Sequence, residues 1–158
     1  MPAKKSAATP YALRTLDLKI RDAESSDSEA VSRLVGQLGY PTSSDAVARR
    51  LARLASSEAD RCVVAERDGE VVGLASMHTS LSVEYDYPAA KLSAIVVDQR
   101  HRRRGIAQAL VSEMEAEARA RGCCLIFLTT AERREGAHAF YRRMGFEETG
   151  RRFAKQLV

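Results

Sequence analysis

Three arginines and a glycine, Arg102-Arg103-Arg104-Gly105, separate a run of β-branched residues, Ile95-Val96-Val97, from an amphipathic stretch that begins at Ile106. A strand that turns through glycine into a helix leaves the first N–H groups of that helix pointing one way, with the positive end of the dipole behind them. Such a turn is an anion site by construction. Arginines beside it add full charge and a bidentate fork, a combination suited to a polyphosphate more than to a lone carboxylate. Gly105 has no Cβ, so the backbone there can come close to a ligand. The same residues also suit a core helix with a solvated basic entry, and the surrounding elements decide between the two readings.

Those elements are written on both sides of the turn. Three consecutive β-branched residues, Ile95 to Val97, have the composition of a strand buried on both faces. After Asp98 and the basic turn, Ala107, Leu110, Val111, Met114 and Ala118 recur at spacings of three and four, one buried stripe of a helix that stops at Gly122. Cys124 to Thr129 is a second apolar run, predicted as another interior strand reached by a right-handed helical crossover. A short helix over Ala137 to Met144 is closed by Gly145, and one or two closing strands are expected through Phe153 and Leu157.

Upstream, residues 1–14 are small, polar and basic and are expected to form a flexible tail, with a single domain over 15–158. Leu16, Leu18 and Ile20 alternate with charged residues as a half-buried first strand. Ser26 to Glu29 has the form of a capping box before a helix with the stripe Val31, Leu34, Val35 and Leu38. Ser43 or Ser44 can cap a second helix with Val47, Leu51 and Leu54 inward. Strands are predicted at Cys62–Glu66 and Val71–Met77, joined at Asp68-Gly69, a strong hairpin signal. Gly73 inside the second marks a bulge or a close backbone approach. Ser80 to Ala90 reads as a loop or strand end.

Composition bounds the function. The chain has 158 residues, 45% of them hydrophobic, enough for one domain with a substantial core. It contains no apolar run of the ~18 residues a membrane helix needs, and its first residues lack the apolar core of a secretory signal, so a cytoplasmic protein without membrane contact is expected. Net charge is +4, from 25 basic and 21 acidic residues, with nine aromatic residues and no tryptophan. That balance argues against nucleic-acid binding and for one local basic site. Cys62, Cys123 and Cys124 show no metal-ligand spacing, so no metal is expected and the thiols are read as buried and reduced.

The hexapeptide Arg102-Arg103-Arg104-Gly105-Ile106-Ala107 resembles the (Gln/Arg)-x-x-Gly-x-(Gly/Ala) signature of the GCN5-related N-acetyltransferase (GNAT) superfamily. Phe140-Tyr141-Arg142-Arg143-Met144-Gly145-Phe146 is similar to that family's F-Y-x-x-x-G-F segment, and the element order over residues 16–157 matches as well. The resemblance implies an α/β fold with a mixed central sheet of six or seven strands flanked by about four helices. It implies acetyl-CoA as cosubstrate, cradled by Arg102, Arg103, Arg104, Gly105, Ile106 and Ala107, with Ile95, Val96 and Val97 along the pantetheine and acetyl portions. Tyr141 would lie at the coenzyme sulfur and donate a proton to the departing thiolate. Glu84, in the segment leading to the central strand, is the candidate for attracting or deprotonating an amine acceptor, with Asp86 beside it. His78 reads as a structural histidine, and His101 and His138 as surface residues.

One departure is visible: Arg134 stands seven residues before Tyr141, where many family members carry an asparagine that bonds the pantetheine. The resemblance thus points to an N-acetyltransferase acting on a small-molecule or protein amine, and it implies a homodimer formed through the closing strands or the first helices. The alternative is a module that binds acyl-CoA or a protein partner without turnover.

Overall fold

The computed structural model describes residues 17–132 and 134–158. The tail expected over residues 1–14, together with Leu16 of the first predicted strand, lies outside the described residues.

Five strands form one sheet in the order β1-β2-β3-β4-β5: β1 Leu18–Asp22, β2 Asp60–Arg67, β3 Glu70–Ser80, β4 Ala89–Val97 and β5 Leu125–Phe127. The first four pair antiparallel in sequence, whereas β5 joins β4 in parallel after a helical crossover. Helices α1 Ser28–Gln37 and α2 Ser44–Ala55 precede β2. Helix α3 Ile106–Ala120 links β4 to β5, and α4 Glu135–Arg143 follows.

The sheet separates two cores. Val31, Leu34, Val47 and Leu51 of α1 and α2 meet Val64, Val71, Leu74 and Val96 on one face. On the other, Ile106, Leu110, Val111, Met114 and Ala118 of α3 meet Val63, Val72, Ala75, Met77 and Val97, with Phe140, Tyr141 and Met144 of α4 packed at the margin. Val96 and Val97 therefore point to opposite cores and are both buried, as a doubly covered strand requires.

Gly73 provides the close approach its position suggested. A Cβ there would stand 3.0 Å from Leu110 Cδ1, 3.2 Å from Ile106 Cγ2 and 3.3 Å from Ala65 Cβ. The register also slips here, with Ala65 opposite Gly73 but Glu66 opposite Val71, so Val72 is an extra residue beside the glycine. The first turn of α3 can thus sit hard against β3.

Several expectations are corrected. The sheet has five strands among the described residues, not six or seven, because 147–158 form no strand and are exposed throughout. β5 is consequently an edge strand of three residues, with Leu125 and Phe127 exposed, rather than an interior one. The capping box lies at Glu24 and Asp27, two residues earlier than Ser26 and Glu29, and encloses a short 3-10 turn. Asp27 is drawn there because it is buried and takes two hydrogen bonds from Arg21, at 2.8 and 2.9 Å. Ser80, Ala89 and Ala90 belong to strands, which narrows the predicted loop to 81–88. Cys62 and Cys123 are half-buried and Cys124 is exposed, all three as free thiols.

Candidate functional site

The site is built where β4 and β5 part. They pair only at Ala89 with Leu125, Ala90 with Ile126 and Lys91 with Phe127. Beyond Lys91, β4 runs on through Leu92–Val97 with no strand on that side among the described residues. The separation coincides with a bulge: Ala94 faces Ser76 while Leu92 faces Met77, which leaves Ser93 without a partner. An extra residue in one strand bends it, and here it bends β4 away from its neighbour.

The slot is lined by unpaired backbone. Asp98 N–H donates to Val72 O at 2.8 Å. Hydrogen-bonded positions alternate along an antiparallel pair, so Val96 and Ala94 turn to β3 while Val97 and Ile95 turn their N–H and C=O to the open side. The Arg102 side chain agrees with this assignment, since its Nε donates to Val97 O at 3.4 Å.

At the C-terminal end of β4 the chain makes the predicted anion turn. Arg103 has φ 60° and Gly105 φ 77°, both left-handed, and a Cβ at Gly105 would meet nothing within 4 Å. For arginine that conformation carries strain. Gly105 caps α3 without a side chain, so among the described residues Ile106, Ala107 and Gln108 keep their N–H groups open. Arg102, Arg103 and Arg104 are exposed around them.

Arg100 has a different task. It binds Asp98 through Nε at 3.2 Å and Glu70 through Nη2 at 2.8 Å. Asp98 is 3% exposed and also accepts from the Arg100 backbone N–H at 2.9 Å. These Arg100 contacts hold the Asp98 carboxyl at about 2, against the opposing effect of desolvation. Gln37 Oε1 accepts from Gln99 N–H at 2.9 Å, tying α1 to the same turn. The basic run thus divides into one arginine that anchors the loop and three that face outward. Sequence reasoning gave Asp98 only the role of a strand end and did not foresee the bond between Gln99 and Gln37, a contact 62 residues away that no local pattern announces.

Tyr141 sits on α4 against the α3-side core, its ring 5.2 Å from Phe140 and 5.7 Å from Phe146 in edge-to-face contact. Burial raises its phenol above the usual tyrosine value, offset in part by the nearby Arg134 charge. The group is therefore a neutral O–H at physiological pH, the form that can donate a proton. Arg134 is exposed at the start of α4 and makes no side-chain capping bond.

Glu84 lies elsewhere. It is exposed on the 81–88 loop at the N-terminal end of β4, the opposite end from the arginine turn, and its N–H donates to Ser82 Oγ at 3.2 Å. Tyr85 and Tyr87 are exposed on the same loop. His78 pairs with Asp60 at 2.9 Å, a structural contact as expected. Thr130, just past β5, was not singled out by the sequence, yet its Oγ1 is buried with no hydrogen-bond partner among the described residues.

A slot with an unpaired backbone rim, ending at a basic turn with open N–H groups, offers hydrogen-bonding groups along its length and positive charge at one end. Residues 25–146 match the model of the Acetyltransferase (GNAT) family. The chain belongs to that family. Curated relatives include the aminoalkylphosphonate N-acetyltransferase of Salmonella typhimurium, 35% identical over 94 residues, which are 60% of this chain and 61% of that protein. The aminoglycoside N(6′)-acetyltransferase type 1 of Stenotrophomonas maltophilia is 29% identical over 84% of this chain and 88% of its own. Among solved structures, an aminoglycoside N-acetyltransferase in complex with CoA superposes with a TM-score of 0.78 at 23% identity, covering 89% of this chain and 95% of that one. The last shows that the GNAT fold is shared. The five strands and four helices described here match that fold, with fewer strands than the sequence reading expected.

The residues present fit CoA. The open N–H groups and the exposed arginines suit its phosphates, and the free rim of β4 suits its amides. Among the described residues no cluster of three His, Cys, Asp or Glu side chains is placed to hold a metal ion, and no helix is long and apolar enough to cross a membrane.

Proposed function

We propose that this GNAT protein is an acetyl-CoA-dependent N-acetyltransferase acting on an amine. The observation that carries the reading is the parting of β4 from β5 after Lys91, with the uncapped start of α3 at the far end of the opening. When bound, acetyl-CoA supplies an acyl carbon activated by a thiol leaving group. The chain's part is to hold and polarise it. Arg102, Arg103, Arg104 and the N–H groups of Gly105, Ile106 and Ala107 bind the phosphates, while the rim of Ile95, Val96 and Val97 aligns the arm. The open N–H of Ile95 or Val97 donates to charge developing on an acyl oxygen; such a fixed donor needs no reorganisation as the charge forms. Tyr141, kept protonated by burial, supplies the proton a departing thiolate requires.

The acceptor is an amine of a small molecule, in line with the names of the Salmonella and Stenotrophomonas relatives. Glu84 and Asp86, alternating with Tyr85 and Tyr87, give its approach a negative, aromatic border that attracts an ammonium. In solution two copies pair through β5 and residues 147–158. Calorimetric titration with acetyl-CoA tests the core of the reading. Micromolar affinity that falls at least tenfold in both Arg103→Ala and Gly105→Glu supports it, and thiol release with a panel of amines then finds the acceptor. Failure of the unaltered protein to bind would sink it.

A further inference from the structure

Two buried side-chain polar atoms lack a hydrogen-bond partner among the described residues, His101 Nδ1 in the turn after β4 and Thr130 Oγ1 just past β5. A hydroxyl removed from water without a partner is costly, and native folds keep few of them, often where a ligand completes the bond. The groups that neighbour Thr130 among the described residues are engaged elsewhere. The neighbouring carbonyl, Ala131 O, already accepts from Arg134 N–H at 3.0 Å and faces His138 Nε2 at 3.0 Å. Glu132 and Arg134, the described long polar residues that follow Thr130, are both exposed.

Its position is defined by the strands. Carried three positions on, the register that sets Lys91 opposite Phe127 would set Thr130 opposite Ala94, beside the Ser93 bulge and across the opening from the free rim of β4. Ile126, Leu128 and Thr130 share one side of the chain and are half-buried, while Leu125, Phe127 and Thr129 are exposed. Ile126 and Leu128 pack against the core that holds Tyr141, so Thr130 continues the side of the chain that faces α3 and Tyr141.

We propose that Thr130 is a binding residue for the pantetheine arm, its hydroxyl bonding one of the arm's amide groups from the side opposite β4. A hydroxyl both donates and accepts, so either the amide C=O or the amide N–H can be its partner. It thereby does the work that Arg134, standing where the family resemblance calls for asparagine, does not do. The inference rests on the acetyl-CoA reading above.

Calorimetry with two ligands tests it: CoA, and adenosine 3′,5′-bisphosphate, which carries phosphates but no pantetheine. Thr130→Val should weaken CoA about tenfold, the scale of one buried hydrogen bond, and leave the bisphosphate unchanged. Thr130→Ser, which keeps the hydroxyl, should bind CoA within about twofold of the unaltered protein. Because valine removes an unsatisfied group from the free protein, Thr130→Val should also melt no lower than the unaltered protein in the absence of ligand. Equal CoA affinity in Thr130→Val, or an equal loss for both ligands, would overturn the role of Thr130 and leave the coenzyme reading standing. No CoA binding by the unaltered protein would overturn both.

Discussion

Two residues in the site have protonation states fixed by surroundings of opposite kinds. Tyr141 is raised by burial, so its neutral form persists above the ~10 of a free phenol. Ultraviolet titration at the phenolate band should show one tyrosine ionising last, and Tyr141→Phe should remove that late component. The same variant should lower kcat about 10²-fold while leaving CoA affinity within about twofold, because the phenol acts on the leaving group and not on the phosphates. Asp98 is shifted the other way, to about 2 by hydrogen bonds from Arg100. A carboxyl lowered on folding stabilises the fold at every pH above its ordinary value near 4. That contribution fades as pH falls from about 4 through about 2. Asp98→Asn should therefore cost about 1–2 kcal/mol at pH 7, seen as a fall in Tm of a few degrees, and the gap to the unaltered protein should narrow below about pH 4 and close as pH falls to about 2. A constant gap across that range would show that Asp98 works through shape and not charge.

At the scale of elements, the slot exists because two small residues let secondary structures take unusual positions. Ser93 is the bulge that turns β4 aside, and Gly73 lets α3 start against β3. Gly73→Val would set branched carbons among atoms 3.0 to 3.3 Å from the added Cβ, one of them on Ile106 in the first turn of α3. The expected outcome is a loss of about 2–3 kcal/mol and weaker CoA binding, since the helix start that faces the phosphates must move. Weaker melting with unchanged binding would show the two to be separable. How much of this was legible varied with range. Period and glycine placement announced α3 and α4, and Gly73 in a strand announced a close contact, because those signals are local. The arginine run announced an anion turn, but which arginine anchors and which three face outward depends on Glu70 and Asp98, brought together only by folding. Ser93 and Thr130 carry no signal of their own: a serine and a threonine in strand-like runs look ordinary until the pairing of their neighbours is known.

The whole molecule is unfinished along one edge. β5 presents Leu125 at 41% and Phe127 at 39% exposure, and no strand lies beyond it among the described residues. The segment that the sequence predicted would cover it, 147–158, carries Phe153 at 93%, Leu157 at 86% and Val158 at 107% exposure. Alternation in that segment, with Phe153, Lys155 and Leu157 on one side, is strand-like, so the failure to read its place from sequence concerns its partner more than its propensity. An open edge with apolar side chains is a template for another strand, and a detached strand-like segment is what such an edge recruits. Within one chain the segment could fold back; between two chains each could lay its segment on the other's β5, burying both apolar sets at once. The second arrangement predicts twice the monomer mass by light scattering at micromolar concentration. Phe127→Lys, which places a charge on the edge, should return the protein to the monomer mass, and so should deletion of residues 151–158. A monomer in the unaltered protein would mean that the segment closes on its own sheet. Phe127→Lys should then lower Tm and expose the last residues to protease, with no change in mass.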